Sequence, residues 1–373
     1  MEANRLKDAI RNILSSAGIA LNGNQPWDIR IHNEGFYHRI LHEGSLGLGE
    51  SFMDGWWECD CLDAFFQRIM QCRAEDLIKK NWKMLLPVIR AAVINLGCRS
   101  RAFQIGTKHY DIGNELYKSM LDKRMVYSCA YWKEAETLDE AQEAKLDLIC
   151  RKLNLQSGNR VLDIGCGWGS FIKYAAERYG ISAVGITVSK EQMQLGRELC
   201  AGLPVEIRLQ DYRELDETFD HIVSVGMFEH VGYKNYRTYM EVVNKCLRDD
   251  GLFLLHTIGK NYSDVTVDPW FDKYIFPNSV IPSMKQICGS MEDLLVLEDL
   301  HNFGPYYDWT LMSWFRNFER NWESLKTRYD DRFFRMWKYY LLCSAGSFRS
   351  RYLQVWQIVL SRNGVPGGYN PVR

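Results

Sequence analysis

The stretch RVLDIGCGWGS, Arg160–Ser170, decides the fold. Val161, Leu162 and Ile164 form a short apolar run, glycines follow at 165, 167 and 169, and FIKYAAERYG then reads as a helix. A strand entering a helix through such a loop puts the loop at the carboxyl end of a strand in an open α/β sheet. Small residues there let a ligand approach the backbone. Two details argue against a dinucleotide. Ser170 makes the run G-x-G-x-G rather than G-x-G-x-x-G, and the next strand ends Gly185-Ile186-Thr187 with no carboxylate for a ribose. A methyltransferase-type loop fits better.

Working outward, β-rich runs recur at 160–165, 182–187, 205–211, 219–226 and 251–259, alternating with helical patterns at 169–179, 189–201 and 235–248. Strict alternation predicts a parallel sheet covered on both faces. Two further strands are expected at 294–304 and 352–362, folded back as an edge, with an aromatic and basic helical region between them. The expectation is an α/β fold with a seven-stranded, mostly parallel sheet and a smaller, mainly helical amino-terminal domain. Residues 1–95 are assigned to that domain, 96–108 to a basic linker and 109–373 to the catalytic domain. Thr137 and Glu140 have capping-box spacing at the start of a helix running to about Leu153.

The composition narrows the function classes. The chain has 373 residues, and 46 Lys+Arg against 47 Asp+Glu leave a formal charge of -1, which excludes a protein built globally around nucleic acid. The eleven cysteines are scattered, without metal-ligand or disulfide spacing, so reduced thiols in the cytoplasm and no metal are expected. The start MEANRLKDAI lacks the apolar core of a signal peptide, and MLLPVIRAAVINLG is broken by Pro87 and Arg90. Any membrane is therefore expected to be met from the side. Between Lys79 and Tyr110 seven basic residues occur without an acidic one, beside an apolar stripe from Trp82 to Leu96. That pattern reads either as a packed helix with a solvated face or as a segment adsorbing to anionic lipid.

With these segments in view, the chain resembles S-adenosylmethionine-dependent methyltransferases of class I and, more narrowly, the cyclopropane-fatty-acyl-phospholipid synthases. GSLGLGESFMDGWWEC (44–59), HYDIGNELY (109–117), YSCAYW (127–132), LDIGCGWGS, GITVSKEQ (185–192), GMFEHVG (226–232), HTIG (256–259) and NFGPYYD (302–308) carry the likeness. It implies methylene transfer from S-adenosylmethionine to the cis double bond of acyl chains in membrane phospholipids. It also implies a homodimer associated peripherally with the inner face of the membrane.

Carried over by position, the cofactor contacts would be Tyr127, Ser128, Asp163, Gly165, Cys166, Gly167, Trp168, Gly169, Thr187, Gln192, Gln210 and Asp211, with Gln192 substituting for the missing ribose acid. The alkene has no proton to lose beforehand, so a base must deprotonate the new methyl as the ring closes. The family places a bicarbonate ion there. The matching cradle is Cys129, Glu229, His256, Ile258 and Tyr307, with Glu298 behind the tyrosine. By local pattern alone His256 reads equally as a core histidine, Glu229 as a cap and Tyr307 as packing. Two other functions are weighed: an amine N-methyltransferase, and a non-catalytic lipid-surface protein.

Overall fold

The computed structural model describes residues 2–72 and 113–373. The expected linker and the basic amphipathic stretch lie outside the described residues. The chain forms two compact units, one of residues 1–93, 266–277 and 307–353 and the other of 94–265, 278–306 and 354–373.

In the first unit a two-stranded antiparallel ribbon, β1 (Arg30–Ile31) and β2 (Trp57–Glu58), joins helices Gly35–Glu43, Ser45–Met53 and Leu62–Gln71. Trp57 is fully buried among Phe36, Phe52 and Phe65. The later helices Pro269–Tyr274 and Asp331–Arg349 complete this core. Phe66 meets Tyr339 edge-on at 5.1 Å, Trp270 meets Tyr339 at 4.5 Å, and Arg349 bridges Asp63 and Asp308. Residues 266–277 and 307–353 thus pack with the amino-terminal helices, although they follow most of the sheet in sequence.

The second unit carries the sheet. Its strands are β3 (Arg160–Ile164), β4 (Ser182–Thr187), β5 (Val205–Leu209), β6 (Phe219–Val225), β7 (Leu247–Lys260), β8 (Val296–Asn302) and β9 (Leu353–Ser361), in the order β5-β4-β3-β6-β7-β9-β8. The first five in that order pair in parallel, and β8 runs antiparallel to β9. Period-2 alternation divides the core. Leu162, Ile164, Val184 and Ile186 face helices Tyr236–Cys246 and Met284–Met291, while Val161 and Ala183 face helices Leu138–Lys152 and Ser170–Tyr179. The capping box at Thr137 forms as expected, with Glu140 N donating to Thr137 Oγ1 at 3.3 Å and Thr137 N to Glu140 Oε2 at 3.0 Å. β7 begins earlier than expected because Leu247 pairs with Phe219 before the register slips to Leu252 opposite His221.

Candidate active site

A cavity of about 170 Å³ opens at the carboxyl ends of β3, β4 and β6. Its wall includes Tyr127, Ser128, Asp163, Gly165, Cys166, Gly167, Trp168, Thr187, Gln192, Gln210 and Asp211, so every expected cofactor residue except Gly169 reaches it. All belong to one compact unit. The reversal of strand order between β4 and β6 about β3 creates this crevice.

The three loop glycines differ in purpose. A Cβ on Gly165 (φ 88°) would lie 2.6 Å from Met227 Cβ, and one on Gly169 (φ 81°) would lie 2.9 Å from Ile207 Cδ1. Gly169 therefore serves helix packing and starts helix Ser170–Tyr179. Only Gly167 leaves room, its nearest neighbour being Gln192 Nε2 at 4.0 Å. Gln192 is itself held, because its Oε1 accepts from Thr187 Oγ1 at 2.8 Å and its backbone N–H donates to the capping Ser189 Oγ at 3.3 Å. At the far wall Asp211 caps the following turn and is doubly bonded by Arg213.

The aromatic side of the cavity is braced from a segment distant in sequence. Trp168 Nε1 donates to Asn114 Oδ1 at 3.0 Å, and Tyr117 sits edge-on to Tyr127 at 5.1 Å and tilted against Trp168 at 5.0 Å. Asp163 is buried, and its Oδ1 has no hydrogen-bond partner among the described residues. Burial pushes its carboxyl up to about 7, with the positive charge of Lys145 opposing.

Lys145 was not legible as a site residue. It is fully buried in helix Leu138–Lys152, lines the cavity, and donates to Ser128 Oγ at 2.9 Å. One turn earlier, Gln142 Nε2 donates to the carbonyls of Val126 at 3.2 Å and Ser128 at 2.9 Å. A signal was available: helical spacing puts Lys145 on one stripe with Ala141 and Ile149.

None of the residues expected to cradle an anion lines this cavity, although Cys129 adjoins Ser128 and Glu229 adjoins His230, which do. Glu229 follows β6 in a short 3-10 turn. Its Oε1 accepts from Ile258 N at 2.7 Å, so that amide is given to the carboxyl. Oε2 is buried without a partner among the described residues, and burial pushes the acid up to about 7 against the Ile258 hydrogen bond. His256 lies on β7 beside Val225, with Nδ1 3.4 Å from Gln357 Nε2. Burial drives the imidazole well below its ordinary value, so it is neutral at physiological pH. Cys129 is completely buried, its Sγ 3.4 Å from Ala130 O.

Two expected residues are engaged elsewhere. Glu298 stands unpaired in a bulge between Leu297 and Asp299, and its Oε1 accepts from Ser361 Oγ at 2.6 Å and Val365 N at 2.8 Å, closing the turn after β9. Tyr307 belongs to the first unit, where its ring packs with Trp314 at 5.9 Å and Phe348 at 4.6 Å.

Comparison with known proteins bears on this geometry. A family model described as mycolic acid cyclopropane synthetase matches residues 98–358. The cyclopropane-fatty-acyl-phospholipid synthase of Escherichia coli (strain K12) is 53% identical over 361 residues, 97% of this chain and 94% of that protein. The tuberculostearic acid methyltransferase UfaA1 of Mycobacterium tuberculosis is 33% identical over 88% of this chain and 81% of its own. Among solved structures, mycolic acid cyclopropane synthase CmaA1 complexed with SAH and CTAB is 30% identical, with a TM-score of 0.65 over 70% of this chain and 98% of that one. Coclaurine N-methyltransferase, 23% identical with a TM-score of 0.70 over 84% of this chain and 99% of that one, shares the fold.

Proposed function

The chain belongs to the mycolic acid cyclopropane synthetase family and is an S-adenosylmethionine-dependent methyltransferase; from that premise we propose that it adds a methylene unit across the cis double bond of unsaturated acyl chains in membrane phospholipids. The observation that carries the reading is the match to the Escherichia coli synthase along nearly the full length of both chains. A protein that had kept only the cofactor fold would need no such likeness outside the sheet.

The cavity residues fit the cofactor. Gly167 leaves the backbone open to approach, Asp163 and Gln192 offer acceptors, and Tyr127 and Trp168, backed by Tyr117, supply ring surface able to stabilise a sulfonium. When bound there, S-adenosylmethionine supplies an electrophilic methyl carbon. The alkene provides the electrons, so the substrate becomes a cation that must lose one proton as the ring closes.

A bicarbonate ion held by Cys129, Glu229, His256 and Ile258 is the proposed base. Support comes from the Glu229 Oε2 that lacks a partner and from the buried neutral His256. A protonated Glu229 can donate to an anion, which avoids setting two negative charges side by side. Ile258 would have to release its amide from Glu229 to contribute. Glu298 is proposed to act indirectly, through the turn after β9.

No helix among the described residues is long and apolar enough to cross a bilayer. We propose that the enzyme is a peripheral protein at the inner membrane face, acting as a homodimer, with the amino-terminal domain and the basic linker serving attachment or substrate delivery. Incubation with S-adenosylmethionine and vesicles of unsaturated phospholipid should raise lipid mass by one CH2; unchanged lipid would overturn the reading. Turnover in carbon-dioxide-free buffer should fall and recover on adding bicarbonate, and indifference to the ion would remove it from the mechanism.

A further inference from the structure

Lys145 is a buried cation in the wall of a cavity that, on the reading above, receives a sulfonium. Two like charges there need compensation. The ammonium is spent on Ser128 Oγ at 2.9 Å, and no ion pair of 4.0 Å or less joins it to Asp163. Both side chains are nonetheless fully buried in the same cavity wall, where charges interact through a poorly screening medium. Asp163 Oδ1, without a hydrogen-bond partner among the described residues, is an acceptor left for a ligand.

Resting on the proposed cofactor reading, we infer that Lys145 is a positioning residue: held in the wall by the Ser128 hydroxyl, it keeps the Asp163 carboxylate ionised, so that the cavity can bind the cationic amino group of the cofactor. The groups facing the pair are Asp122 and Cys129 from the preceding loop, Cys166 from the glycine loop, Tyr239 from helix Tyr236–Cys246 and His256 from β7. Asp122 also favours the charged lysine, and is itself held by accepting from Val126 N at 2.8 Å and Arg124 N at 2.9 Å. Burial holds Lys145 down to about 8, still cationic at neutral pH, and holds Asp163 up to about 7. Removing the lysine takes away the influence that opposes protonation of Asp163.

The test is calorimetric binding of S-adenosylhomocysteine to the full chain from pH 6 to pH 9. Wild-type affinity should fall below pH 7 as Asp163 protonates. Lys145→Met should bind about fivefold more weakly near pH 7, the effect of about one unit in the Asp163 pKa, and should recover toward pH 9. In an Asp163→Asn background the same lysine substitution should cost little. A loss equal at every pH, or one that persists with Asn at 163, overturns the inference. Asp163→Asn alone tests it without disturbing the lysine, since it should abolish the acid-side decline, and a persisting decline counts against the inference. Failure of the wild type to bind the ligand at any pH would instead overturn the cofactor reading.

Discussion

Glu229 shows how a single carboxyl can be set by its surroundings. It is raised from an ordinary glutamate to about 7 by burial. A raised acid adds stability below its unfolded pKa and loses it as pH climbs through the folded value. At pH 8 its ionisation therefore costs about 3 kcal/mol, from about 2.5 units at 1.36 kcal/mol each. Glu229→Gln should melt higher than wild type at pH 8 and no higher at pH 5, even as it loses turnover; a stability difference independent of pH would contradict the assignment. Cys129 is sealed in the core beside Ser128, and the proposed reaction needs no covalent sulfur intermediate. Cys129→Ser should impair turnover without abolishing it. Complete loss in a folded variant that still binds S-adenosylhomocysteine would make the thiol a nucleophile.

At the scale of elements, helix ends and helix contacts set separate demands. Thr137→Ala removes one half of a capping box and should lower stability by about 1 kcal/mol, read as a shift in melting temperature with turnover unaffected. Gly346 lies in the last turn of helix Asp331–Arg349, where Ala has the better intrinsic propensity by up to about 1 kcal/mol. A Cβ there would nevertheless sit 2.6 Å from Asp63 O and 2.8 Å from Gln67 N of the facing helix. Gly346→Ala should therefore destabilise, by about 1–3 kcal/mol, and a stabilised variant would show that the two helices can part freely. The parallel strands were legible because each is a short apolar run closed by a turn signal. The register of β8 was not. Glu298 stands in a bulge imposed by pairing with β9, more than fifty residues later, and one extra residue reassigns which side chains face which way.

For the whole molecule, the division into two units has a consequence for truncation. Helix Asp331–Arg349 covers its apolar face with Phe52, Phe66 and Trp270, two of which come from the first 72 residues. A chain starting at residue 113 should expose that face, bind hydrophobic dyes and aggregate. A soluble truncation with an unchanged near-ultraviolet spectrum would establish an independent carboxyl-terminal domain. The sequence by itself determined the strand-helix alternation and the glycine loop, because those features depend on neighbours a few residues apart and on one repeated β-α unit; the eleven expected residues in the cavity wall came through the family resemblance. Only the tertiary structure decided that Lys145 and Gln142 hold the 126–128 segment, that Glu298 braces a distant turn, and that Tyr307 packs with the amino-terminal helices' own core. Each of these is a contact between segments far apart in the chain. Their partners are chosen by burial and register after the elements have formed, and local pattern carries no record of that choice.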